Sequence, residues 1–222
     1  MENPIFTPAG DNAFFVSFGD EISDLHQTQV QALFEALKNR ENIISVQPSY
    51  SALTVTFDLA RTTHEEVTKS VLKLVSHATP KMNVRRIVVP VMYGGEFGPD
   101  LEDVALETHM SPEQVIALHT QCVYKVNFLG FMPGFPYLSG LPVELKVSRL
   151  ATPRTKVPAG SIGLAGSQTG IYPLETPGGW RIIGRTPLKL FDPEKSEPSL
   201  LKIGDEIQFQ KISAHEFKSG LK

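Results

Sequence analysis

The sequence predicts an α+β chain with an N-terminal ferredoxin-like (split βαβ) half and a mostly β second half. Two observations carry that prediction. The first ninety residues follow the order β-α-β-β-α-β. After about position 90 the texture changes: most of the 17 Gly and 17 Pro lie there, between short apolar runs. Short strands separated by such turns point to a barrel or sandwich.

The elements of the first half rest on periodicity. "AFFVSFG" (13–19) has the character of a strand. "SDLHQTQVQALFEALKNR" (23–40) has Ser23 as a cap and places Val30, Leu33, Phe34 and Leu37 on one helical face. "IISVQPSY" (43–50) and "ALTVTFD" (52–58) form a tight strand pair, the second alternating cleanly. Thr63 caps a second helix over 64–78, whose stripe is Val67, Val71, Leu72 and Val75. "VRRIVVPVMY" (84–93) is the last strand of the set, so residues 1–92 form the first domain and 93–222 the second.

The second half opens on a Gly-rich turn, "YGGEFGPD", whose Asp100 is placed to cap a short helix. Ser111, Pro112 and Gln114 give the helix over 111–121 a capping box with Pro in its first turn. The strand candidates beyond it are "VYKVNFLGF", "ELKVSRL", "GSIGLAG", "GWRIIGR", "LKLFD" and "EIQFQKI".

Composition removes several classes of function. Net charge is −3, which offers no basic surface to nucleic acid. No apolar run reaches the ~18 residues of a membrane span, and the first fifteen residues lack the regions of a signal peptide. A single cysteine, Cys122, excludes an internal disulfide and suits a small core residue in a reducing cytoplasm. "GSIGLAG" lacks both the spacing and the following helix of a dinucleotide site, and no Walker-type phosphate loop occurs. None of the six His has metal-ligand spacing, so no metal site is expected. His119, near the end of the capped helix, is either a C-terminal helix residue favoured by the dipole or a pocket residue.

Two constellations remain. Arg149, Arg154, Arg181 and Arg185 sit in rigid Pro- and Gly-bearing segments, where a guanidinium is preorganised for carboxylate or phosphate. "FLGFMPGFPYLSGLP" (128–142) is apolar but built like a loop. Its aromatics either plug a barrel end or line a pocket or partner surface, and Phe135–Pro136 is a candidate cis bond.

The motifs "GPDLEDVA", "FLGFMPGFPYLSGLP", "PRTKVPAGSIGLAGSQTGIYP" and "PGGWRIIGRTPLKLFD" together resemble the family of 5-oxoprolinase B-subunits, also called KipI or allophanate hydrolase subunit 1, over essentially the whole chain. Ser148 stands where many members have Pro. The resemblance implies a small α/β domain followed by a cyclophilin-like β-barrel. It implies a bacterial, cytoplasmic component that works with 5-oxoprolinase subunits A and C to open 5-oxo-L-proline to L-glutamate, with ATP as co-substrate and Mg expected beside it. Some relatives inhibit a sporulation histidine kinase, and others are fused into the carboxyltransferase part of urea carboxylase. A homo-oligomer is left open; nucleic acid and membrane are not expected partners. Under this resemblance His119, Arg149, Arg154 and Arg185 are the candidate catalytic residues. Phe131, Pro133, Phe135, Tyr137, Gln168, Thr169, Gly170, Tyr172, Gly178, Gly179 and Trp180 are the candidate substrate or interface residues.

Overall fold

A computed structural model describes residues 4–21, 23–77 and 84–219 and divides the chain into two units, 1–83 and 84–222. The first unit runs β1 (Ile5–Pro8), β2 (Ala13–Ser17), α1 (Asp24–Leu37), β3 (Ile43–Pro48), β4 (Ala52–Phe57) and α2 (His64–His77). Its sheet has the order β1-β2-β4-β3 and every pairing is antiparallel. The helix starts follow the expected chemistry. Ser23 accepts from the His26 amide at 3.1 Å, and Thr63 and Glu66 cap each other's backbone amides. Val30, Leu33 and Leu37 of α1 meet Leu53, Val55 and Phe57 of β4 in one buried core. Each such side chain contributes roughly 1.5–3 kcal/mol by leaving water. On α2, Leu72 turns outward and Leu74 packs in its place.

The ferredoxin-like expectation for residues 1–92 needs correction at one edge. The central order β2-β4-β3 is the one a split βαβ sheet would have, but Ile5–Pro8 lies beside β2 where the final strand was expected. The strand over 84–93 is instead β5 (Arg86–Tyr93), a member of the second unit. An edge position tolerates the prolines of "NPIFTP", which had hidden β1 in the sequence.

The second unit continues with α3 (Leu101–Glu107), α4 (Pro112–Gln121), β6 (Val123–Leu129), β7 (Pro136–Ser139), β8 (Arg154–Val157), β9 (Ser161–Ala165), β10 (Gln168–Ile171), β11 (Thr176–Gly178), β12 (Arg181–Arg185), β13 (Glu206–Lys211) and α5 (Ala214–Ser219). Seven strands close into a barrel in the order β10-β7-β6-β13-β5-β12-β9, with β9 pairing back to β10. Closure leaves no free edge among them. β13 and β5 run parallel, and β8 and β11 form a separate ribbon. "ELKVSRL" and "LKLFD", expected as strands, supply only the isolated bridges at Val147 and Phe191. The barrel core includes Val89, Val91, Tyr124, Val126, Leu138, Ile162, Leu164 and Ile183. α4 adds Val115 and Ile116 to it through the capping box read from the sequence, where Ser111 and Gln114 each receive the other's amide. The Phe135–Pro136 bond is trans, against the cis candidate.

Candidate functional site

The loop 128–142 divides its aromatics between two fates. A short turn holds it: the Gly130 amide donates to the Phe135 carbonyl at 3.1 Å, and the Phe135 amide to the Met132 carbonyl at 3.1 Å. Phe135 is buried and meets Tyr172, Trp180 and Phe131 edge-on, with centroids 5.3, 5.5 and 5.5 Å away. Val157, Ala165 and Ile182 complete that cluster. Phe131 stands at its surface, 63 % exposed, on a backbone with φ +67°. A bulky residue rarely takes that conformation, and it costs on the order of 1–3 kcal/mol. Tyr137 is half-buried and stacks on Phe128 at 4.5 Å. Pro133 is exposed.

Two glycines make this packing feasible. A Cβ on Gly170 would lie 2.8 Å from Phe135 Cζ, and one on Gly178 would lie 2.6 Å from the Tyr172 hydroxyl. Burial pushes the Tyr172 pKa up to about 12. The hydroxyl therefore stays protonated at neutral pH. Gly179 accepts the Leu150 amide at 2.8 Å, which ties the chain just after Arg149 to the edge of the cluster. Gln168, half-buried, opens β10 opposite Ala165.

The four arginines separate by what holds them. Arg154 gives both terminal nitrogens to the buried carboxylate of Asp100, at 2.9 and 2.6 Å. Asp100 also accepts the Ile182 amide at 2.6 Å. The residue expected to cap α3 makes no side-chain cap bond and instead joins α3 to β8 and β12. Arg181 lies between Asp103 and Glu107, each 3.4 Å away, and donates to the Ser148 carbonyl. Arg185 donates through Nε to the Ala159 carbonyl at 2.8 Å. Arg149 is exposed and, among the described residues, forms no ion pair. Its charge reaches the Tyr137 and Tyr172 hydroxyls, where it works against the upward push of burial.

His119 is separate from this cluster. It is fully buried and stacks on Phe209 at 4.4 Å. The Tyr93 hydroxyl donates to Nδ1 at 2.8 Å. Thr169 spends its one proton on the Gly163 carbonyl, so its oxygen accepts from Nε2 at 3.4 Å. Burial lowers the His119 pKa to about 3. The structure places His119, a candidate catalytic residue, and Thr169, a candidate substrate or interface residue, side by side in the buried interior. Stability should follow. An unfolded imidazole binds its proton near pH 6.5, whereas the folded one does so only near pH 3. The unfolded chain therefore takes up more protons as pH falls from about 6.5 toward 3, and stability declines across that window. Between pH 7 and 5 the loss from this residue is about 2 kcal/mol. In urea melts at the two pH values, His119→Gln should flatten that difference, though it lowers stability at pH 7. An unchanged pH difference would place the proton uptake elsewhere.

Three of the four arginines are engaged, and "GSIGLAG" becomes β9 with the barrel strand β10 after it, not a helix. Among the described residues no three His, Cys, Asp or Glu gather in a group able to hold a metal ion, and no helix is long and apolar enough to cross a membrane. What sequence reasoning missed is Asp100, which lies 54 positions from Arg154 and was legible only as a helix-start residue.

Known proteins share this chain's pattern closely. The family described as carboxyltransferase domain, subdomain C and D, matches residues 4–201. The 5-oxoprolinase B-subunit of Bacillus subtilis is 41 % identical, covering 94 % of this chain and 92 % of its own. The uncharacterized protein PH0987 of Pyrococcus horikoshii is 45 % identical over 96 % of this chain and all of its own, with a TM-score of 0.59. The crystal structure of TTHA0988 is 35 % identical over 91 % of this chain, with a TM-score of 0.81; the match spans only 40 % of that longer chain.

Proposed function

This chain belongs to the family of 5-oxoprolinase B-subunits, and on that premise we propose that it is one component of an ATP-dependent 5-oxoprolinase, opening 5-oxo-L-proline to L-glutamate together with subunits A and C. The observation that carries the reading is the 41 % identity to a 5-oxoprolinase B-subunit over nearly the full length of both chains. The closed seven-stranded barrel supports a cyclophilin-like reading of the second unit.

The chemistry explains the need for several subunits. An unstrained lactam is a poor electrophile. Phosphorylation of its oxygen by ATP would supply an imidate-like group that water can attack. That intermediate needs cations and exclusion of water. Of the four arginines near the aromatic cluster, Arg149 is the one that makes neither an ion pair nor a side-chain hydrogen bond among the described residues. In this reading the chain binds and shields, and the nucleotide is held by a partner.

The test is glutamate release from 5-oxoproline, with and without ATP. The chain with subunits A and C should turn over only with ATP, and the chain alone should not turn over. Turnover by the purified chain without a partner would defeat the division of labour. A carboxyltransferase-type role is the second reading, favoured by the description of the matching family. It predicts transfer of a carboxyl group from carboxybiotin in the same preparation.

A further inference from the structure

Three of the four arginines around the aromatic cluster are held by protein groups, and Arg149 is the exception. Arg154 faces Asp100, Arg181 faces Asp103 and Glu107, and Arg185 faces the Ala159 carbonyl. Arg154 and Arg181 are thus paired with carboxylates, while Arg185 is tethered through Nε alone. Arg149 is exposed next to Leu150, whose amide is fastened to Gly179. Gly178, the neighbouring residue, lies against the Tyr172 hydroxyl because it has no side chain. The Tyr172 proton is uncommitted among the described hydrogen bonds. Phe131 stands over the same ring at 6.5 Å, perpendicular to it, and exposes its remaining surface. A forked cation, a hydroxyl donor and an aromatic face thus border one surface.

We infer that Arg149, Tyr172 and Phe131 form the recognition site for a small ring that carries a carboxylate, with Arg149 holding the carboxylate. The inference rests on the 5-oxoprolinase reading for the choice of 5-oxo-L-proline as the ring. The guanidinium fork suits a carboxylate through two parallel bonds. Phe131 covers one face of the ring, and a positive φ aims it there at the expense of backbone comfort. The lactam carbonyl then points away from Arg149, toward whatever delivers the phosphoryl group. Arg154 becomes a positioning residue that keeps α3, β8 and β12 together.

Trp180 is the single tryptophan of the chain and lies in this cluster, so its fluorescence reports the site directly. The full-length chain is titrated with 5-oxo-L-proline and with 2-pyrrolidinone, the same lactam without the carboxylate. The first should change the Trp180 emission at concentrations where the second does not. Arg149→Ala should weaken the response to 5-oxoproline roughly 10- to 100-fold while leaving thermal melting unchanged, since its side chain is exposed. Arg149→Lys should fall between, because it keeps the charge and loses the fork. In the assembly with subunits A and C, Arg149→Ala should raise KM for 5-oxoproline by a similar factor and change kcat little. A wild-type chain that does not respond to 5-oxoproline, or an Arg149→Ala chain that responds as wild type does, overturns the inference. A carboxylate-selective response that is lost in Arg149→Ala, with no glutamate formed by the assembly, upholds the site and defeats the 5-oxoprolinase reading instead.

Discussion

Phe135→Ala should lower the melting temperature by on the order of 10 °C, while Phe131→Gly should leave it unchanged or raise it slightly. Phe135 is buried against Tyr172, Trp180, Tyr137 and Phe131. Truncating it leaves a cavity lined by rigid rings that cannot collapse into it, at a cost of about 3–5 kcal/mol. Phe131 is mostly exposed, and glycine relieves its positive φ. If Phe131 faces the partners of the assembly, subunits A and C, Phe131→Gly should weaken their capture in a pull-down while the chain stays folded. Equal losses of melting temperature in both variants would make the whole loop a structural plug and remove the case for an interface there.

Asp100→Ala is expected to be as damaging, for a different reason. The carboxylate is 3 % exposed, Arg154 is 31 % exposed, and the Ile182 amide points at the same oxygen that receives one Arg154 nitrogen. Removing the acid strands a buried amide and a half-buried guanidinium together. Breaking a buried pair of this kind costs about 3–5 kcal/mol. The double variant Asp100→Ala with Arg154→Ala should recover part of the loss, because the uncompensated charge goes with its partner. A double variant no more stable than Asp100→Ala would mean that the Ile182 amide carries the effect alone. This pair also changes what Arg154→Ala reports. Lost turnover in that variant would follow from a loosened α3 and β12, so melting must be measured beside activity.

The features that were legible in the sequence are local ones. Ser23, Thr63 and Ser111 cap their helices as their spacing to the next residues predicts. The alternation in "ALTVTF" becomes the alternating burial of β4. The density of Gly and Pro after position 90 becomes the turns of a closed barrel. Each of these follows from bonding or periodicity within a few residues of chain, so no distant partner had to be known.

Other features needed partners that only the fold supplies. "VRRIVVPVMY" is a strand on its own evidence, but its place is set by β13 and β12, more than ninety residues away, so it leaves the first sheet and joins the barrel. A capping aspartate and a turn arginine become one buried ion pair because β8 passes α3. A helix-end histidine becomes a neutral core residue because α4 turns it onto Phe209, Tyr93 and Thr169. The aromatic loop was recognisable in sequence as unusual, yet which ring is plug and which is surface depended on Gly170 and Gly178 lacking a Cβ where Phe135 and Tyr172 pack. Residue type and spacing determined the capped helices, most of the first unit's strands and the family of this protein. Long-range pairing decided which arginine is left for a ligand, because a guanidinium is free only when no carboxylate or carbonyl from elsewhere in the chain has reached it first.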